Sequence, residues 1–221
     1  LFNRSSLNQD NPVNSAPDLP CDLLGACDDG IVNETRQDFY EPIDFQLDAY
    51  TLEMNWEVAL GTITSITGYR DTDENVPVDF DGSEFAFFHV VRDQQSEQTS
   101  SELRFASNET LSEDWDFVVG LYGLKDNYQL EQDTGIAQDF CPFACRNAQT
   151  HTDHHRESYA VFGEGNYHIA DAWTLILGGR WTYEEKDIYA DSFASEDLAE
   201  LALVSEVNAD HSWDEFTPKL G

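Results

Sequence analysis

Positive charge is what this sequence has least of. Its 11 Lys and Arg stand against 44 Asp and Glu, giving a net charge of −33. Binding a phosphate backbone needs clustered Lys and Arg, so no nucleic-acid partner is expected. Long apolar runs are missing as well. None approaches the roughly 18 apolar residues of a membrane helix, so a closed barrel of strands is the one way for this chain to span a bilayer. Methionine occurs once, at Met54, and the chain starts at Leu1 without a signal peptide. It is expected to be an internal piece of a longer protein, in which case the missing signal does not argue for the cytoplasm.

Cysteine is sparse and locally paired: Cys21 and Cys27 in CDLLGAC, Cys141 and Cys145 in CPFAC. Such pairs fit small disulfide loops in an oxidising compartment. Free thiols and a four-cysteine zinc site are the alternatives, but neither pair has the context of a zinc knuckle. No metal site or cofactor is expected. A catalytic constellation is also missing. Ser158, His168 and Asp171 share one hairpin, but Ser158 lies at the far strand end from His168, outside the reach that nucleophile and base need. The chain is read as not an enzyme.

What is present is period-two alternation. In residues 157–183 the odd positions Tyr159, Val161, Gly163, Gly165, Tyr167 and Ile169, then Trp173, Leu175, Leu177, Gly179 and Trp181, are apolar or glycine. The even positions are mostly polar and include Glu164, His168 and Arg180. Alternation of this length, with aromatics near the ends of the apolar face, predicts long strands of a transmembrane β-barrel. Parity sets the register. Pairing Ile169 with Trp173 puts Phe162 beside Arg180 and Glu164 one diagonal step away. A slip by one residue would place Arg180 in lipid, at a cost of about 2–4 kcal/mol near the midplane.

The same reading along the chain predicts about seven strands, at 45–58, 62–73, 95–107, 115–128, 157–169, 173–189 and 213–221. Residues 1–44 are expected to be a long extracellular loop segment, and 45–221 a partial barrel domain of antiparallel up-and-down topology. Connections after the first, third and fifth strands are short, and the others are long. Outer-membrane barrels have this asymmetry, with short periplasmic turns and long extracellular loops. Both cysteine pairs fall on the long-loop side. Within the acidic connection 190–211, SEDLAELALVSEV has helical spacing of Leu198 and Leu201. Aromatics make up 13% of the chain, many in alternating segments, which argues against disorder at this charge. The acidity reads as a solvated surface in a salty habitat, with cation-binding loops as the alternative.

By parity, Glu102, Arg104, Asp116, Glu164 and Arg180 point into the lumen, as a charged ladder or as plain solvated positions. Phe85, Phe87 and Phe88, with Phe140 and Phe143, are candidates to line a ligand mouth or to pack loops together. His151, His154 and His155, with Asp153, are candidates for contact with a metal chelate or are ordinary surface residues.

Four stretches resemble the TonB-dependent outer-membrane receptor family. They are ALGTITSITGYRDTD (59–73), SSELRFAS with WDFVVGLYGLKD (100–107 and 115–126), YAVFGEGNYHIADAWTLILGGRWTYEEKD (159–187) and WDEFTPKLG (213–221). They occur in the family's order over about 160 residues. The resemblance implies a plugged barrel in the outer membrane of a Gram-negative bacterium, driven through TonB. It would take up a scarce nutrient such as an iron–siderophore complex. Large transporters of this kind have 22 strands, so about a third of a barrel is expected here. The implied partners are outer-membrane lipid, a small-molecule or metal-chelate ligand and, through segments outside this chain, a plug domain and TonB. The alternatives are a passive porin or another outer-membrane barrel protein. A soluble β-sandwich would need a second sheet packed on the apolar faces.

Overall fold

A computed structural model of the chain describes residues 2–9, 38, 41–82, 85–108, 114–141, 145–170, 173–196 and 200–221. Among them run eight strands: β1 (Phe2–Gln9), β2 (Ile43–Val58), β3 (Gly61–Asp79), β4 (Phe88–Ser107), β5 (Trp115–Ile136), β6 (Arg146–Ala170), β7 (Trp173–Glu196) and β8 (Ala202–Leu220). They form one sheet in chain order, each antiparallel to the next. The sheet is open, an all-β up-and-down segment of a barrel. No described helix is long and apolar enough to cross a membrane.

The register keeps each class of side chain on one side from strand to strand. Trp56 lies opposite Ile63, Ile63 opposite Phe105, Phe105 opposite Val119 and Val119 opposite Gly163. Gly163 pairs with Gly179, and Val161 with Trp181. The apolar side chains thus make one continuous face. That face is the bare one: Leu121 is 57% exposed and Val161 48%, whereas Ser158 and Ala160 on the polar face are 5% and 6% exposed. A water-soluble sheet has the opposite arrangement, because burying apolar area is what stabilises it. Among the described residues no second sheet covers the apolar face, so the β-sandwich alternative falls. The solvent that suits the bare face is hydrocarbon.

Aromatic rings bound that face. Tyr50 lies opposite Tyr69 at one edge, and Tyr159 opposite Tyr183. At the other edge Trp115 lies against Tyr167, with ring centroids 4.6 Å apart, and Trp173 starts β7. From Trp173 to Tyr183 is about 34 Å along the strand, or about 25 Å along a barrel axis at the usual tilt, which is the height of an outer-membrane apolar band. The tyrosine hydroxyls point away from that band. Tyr159 donates to Glu157 at 2.9 Å and Tyr183 to Glu185 at 3.1 Å, each ring staying in the interface while its hydroxyl reaches charged groups. We call the apolar side the outer face and the polar side the inner face.

Several strands exceed their expected lengths. The segment expected to be all loop, 1–44, contributes β1, whose Phe2 pairs with Tyr50 and Gln9 with Ile43. β3 runs to Asp79 rather than residue 73, β4 starts at Phe88 rather than 95, and β5 runs to Ile136 rather than 128. β6 starts at Arg146 rather than 157, β7 ends at Glu196 rather than 189, and β8 starts at Ala202 rather than 213. The physical reason is common to all. Beyond the tyrosine edge both faces of a strand meet water, so nothing imposes hydrophobic alternation there. Backbone pairing continues regardless. The helix expected within 195–207 is replaced by strand at 202–207, because Leu203 and Val207 pair with Phe193 and Ala190 on a ladder that β7 already offers, with a register shift between Ser192 and Phe193. At the end of β6 a bulge after His168 sets Ala170 opposite Trp173, in place of the simple Ile169–Trp173 closure. Phe162 does lie opposite Arg180.

Position on the outer face sets the cost of charge. Val161→Arg should lower folding free energy in lipid vesicles by about 2–4 kcal/mol, measured by urea titration of the complete barrel. An effect below about 1 kcal/mol would remove this face from lipid.

Candidate functional site

The register sorts charge by side. Arg70, Arg92, Arg104, Arg156, Arg180, Lys186 and Lys219 all lie on the inner face. Among the described basic residues of the strands, Arg4 and Lys125 alone lie on the outer face. The inner cations meet a comparable set of carboxylates. Arg104 bonds Glu102 at 3.5 Å, Arg156 Asp126 at 3.3 Å, Lys186 Glu184 at 2.9 Å and Lys219 Glu164 at 2.6 Å. Each pair is partly exposed and worth about 0–1 kcal/mol; their consequence is an inner face close to neutral. Above the tyrosine edge the outer face bears Asp71, Asp73, Asp93, Glu97, Asp153, Asp187 and Asp191, with few cations. Much of the strand-borne negative charge therefore lies on the outside of the wall.

The predicted lumen residues occupy four environments. Glu102 and Arg104 pair along β4. Glu164 bonds Lys219 across β7 rather than the diagonal Arg180. Arg180 lies over aromatic rings, 5.3 Å from the Tyr122 centroid and 5.8 Å from that of Phe162, with Nε donating to Thr182 Oγ1 at 3.1 Å. Phe162 in turn lies across Gly120, where any Cβ would collide with its ring. Lys219 and the aromatic bed of Arg180 were not singled out in the sequence; parity carried across the eighth strand would have found the first.

Asp116 anchors a second group at the turn end. It accepts from Asn166 Nδ2 at 2.6 Å and contacts His168 Nε2 at 2.7 Å, while His168 Nδ1 meets Thr174 Oγ1 at 3.1 Å. The network ties β5, β6 and β7 together. Ser158 is not part of it, lying opposite Leu124 and Glu184. Asp171 falls outside the described residues.

At the opposite end the connections are knotted to one another. Asp79, with 0% exposure, accepts from the backbone N–H of Asp81 at 3.0 Å and of Gly82 at 2.9 Å. Asp81 accepts from the Phe88 N–H at 2.7 Å, and Phe80 stacks on Phe88 at 5.0 Å. The turn after β5 joins in. Ala137 N–H and Gln138 N–H donate to Phe87 O and Ala86 O, both at 2.7 Å, and the Ala86 N–H donates to Asp139 at 3.0 Å. Burial, reinforced by the neighbouring Asp81 carboxylate, pushes the Asp79 carboxyl above its ordinary value against the lowering effect of the Gly82 N–H. Cys141 and Cys145 form a disulfide at the edge of this knot, with Cα atoms 5.0 Å apart. Cys21 and Cys27 lie outside the described residues.

Phe85 and Phe87 belong to the β3–β4 connection, and Phe88 starts β4. Phe143 is outside the described residues, and Phe140 closes a short 3-10 turn. The three histidines were expected in a loop but lie on β6. His151 and His155 share the outer face and His154 the inner one, since neighbouring strand residues alternate. His151 approaches Asp153 at 3.5 Å and Asp191 at 4.0 Å. His155 Nδ1 meets Asn127 Oδ1 at 2.5 Å and its Nε2 meets Glu157 at 3.3 Å. The geometry therefore separates the histidines instead of gathering them at one site.

The family model "TonB dependent receptor-like, beta-barrel" matches residues 2–221. Among solved structures, the ferric yersiniabactin uptake receptor FyuA from Yersinia pestis is similar in fold, with a TM-score of 0.61 at 16% identity. The match covers 82% of this chain and 26% of that one, so the chain spans about a quarter of that receptor's length. No curated protein matches the sequence.

Two outcomes follow from the geometry. Arg180→Ala removes two cation–π contacts and should cost about 1–2 kcal/mol in the complete barrel, read from its urea midpoint in micelles; an unchanged midpoint would show that the aromatic bed contributes nothing. The raised Asp79 carboxyl binds its proton more tightly folded than unfolded. Its contribution is complete below 3.8, the ordinary value, and is lost as pH rises through the raised one. Hydrogen exchange at Asp81 and Gly82, corrected for intrinsic rates, should be slowest in mild acid, and Asp79→Asn should flatten that dependence.

Proposed function

The chain belongs to the TonB-dependent receptor β-barrel family, and we propose that it is the mid-barrel part of an outer-membrane active transporter energised through TonB. The cargo is a scarce nutrient carried as a small molecule or metal chelate, an iron–siderophore complex being the leading class. The observation that carries the reading is family membership over residues 2–221, joined to a sheet whose exposed side is the apolar one. In this reading Glu102, Arg104, Asp116, Glu164 and Arg180 face a plug domain supplied by another segment. The near-neutral inner face suits this role: a plug of ordinary globular composition packs against it without a large electrostatic penalty. Phe85, Phe87 and Phe88, with His154 below them, are assigned to the ligand mouth. His151 and His155 are assigned to the outer wall.

Uptake of labelled iron–siderophore complexes by Gram-negative cells expressing the complete gene is the direct test. Uptake should require both TonB and the proton-motive force. Entry that persists in cells lacking TonB would sink active transport and favour the passive porin.

A further inference from the structure

The extracellular end of the outer face carries a cavity that the transport reading does not use. β4, β5, β6 and β7 each place one residue in a single row there: His89 opposite Gly135, Gly135 opposite Asn147, Asn147 opposite Ser195. Asp133 and Gln149, facing each other, form the next row. These residues line a cavity of about 350 Å³, and Leu201 adds an apolar edge.

Its construction is specific. Gly135 has no side chain, and the His89 ring occupies the place a Cβ would take. The imidazole thus lies flat as a platform beside the polar groups. Asn147 uses its Oδ1 to accept from Gln138 Nε2 at 2.8 Å, which leaves its amide N–H groups for other acceptors. Ser195 is 6% exposed, and its Oγ has no hydrogen-bond partner. A buried hydroxyl without a partner costs about 1–3 kcal/mol, and rotation of the Ser195 side chain towards the cavity would let a ligand atom relieve that cost.

We propose that this cavity binds a neutral saccharide unit of a cell-surface glycan. The chemistry selects that class. Amide, hydroxyl and carboxylate groups supply donors and acceptors for sugar hydroxyls, while the imidazole and Leu201 meet its C–H face. Anionic ligands are disfavoured by Asp133 and by the acidic outer wall. Height fits as well. Asn147 is twelve residues above Tyr159 on β6, about 41 Å along the strand and about 30 Å above the membrane edge. At that level an outward-facing site meets glycan and not lipid. The cavity is on the other side of the wall from the inner face, so its occupation is independent of transport.

The test uses the complete receptor in detergent micelles, with saturation-transfer NMR against neutral monosaccharides and against delipidated surface oligosaccharide from Gram-negative cells. Transfer to sugar C–H protons is expected, with affinity about tenfold weaker in Gln149→Ala and in Ser195→Ala. Signal from the oligosaccharide alone identifies the cell's own surface as the source, and signal from free monosaccharides an external one. Ser195→Ala removes a buried hydroxyl without a partner, so its thermal midpoint without sugar should be equal or higher, which separates lost binding from lost folding. No transfer from either ligand set, or affinity unchanged in both variants, overturns the proposal.

Discussion

Everything in this fold depends on one requirement: inside hydrocarbon, each backbone N–H and C=O must find a partner within the protein. A sheet meets it only by continuous pairing from strand to strand, and from β1 to β8 the ladder is continuous. Antiparallel order, near-constant register and strict parity follow, because a slip anywhere would turn an inner charge such as Arg180 or Glu164 toward lipid. Side chains then adapt to the ladder. Small residues such as Gly120 and Gly163 stand where a neighbouring aromatic or valine side chain crosses the strand.

The charge of the chain takes on a different meaning once it is divided by face. A net charge of −33 read as one number points to a site for cations. Divided by parity, the inner face pairs Arg104, Arg156, Lys186 and Lys219 with local carboxylates, while the excess lies on the outer wall above the tyrosines. Solvation of that wall and the chemistry of the passage are separate matters. Composition cannot reveal the separation, because Arg156 and Glu157 are adjacent in sequence and on opposite sides of the sheet.

How far the sequence could be read depended on where the solvent changes. Within the membrane band, lipid on one side and polar surroundings on the other force alternation, and the strands there were legible to within a few residues, including the Phe162–Arg180 pairing. Above the band the constraint disappears. The stretch NAQTHTDHHR reads as loop, yet it is part of β6; RSSL in β1 and ALVSEV in β8 were missed for the same reason. The site residues divide likewise. The facing of Glu102 and Arg104 came from parity, whereas the Glu164–Lys219 contact joins residues 55 positions apart and needed the order of the strands. The Asp79–Asp81 knot had no signal beyond a DFDG turn, since its partners are backbone amides and a second connection.

The prolonged strands also bear on the entropy of any contact made at their upper ends. A rim made of long floppy loops must be frozen when it closes on a ligand, at about 1–2 kcal/mol of backbone entropy per residue ordered. Here the described connections after β3 and β5 are short pieces held by paired strands, by backbone bonds between one another and, at one edge, by a disulfide. Their ordering is completed when the barrel folds. A contact made to these described parts would therefore carry little of that ordering cost, because they behave as a fixed socket more than a closing hand.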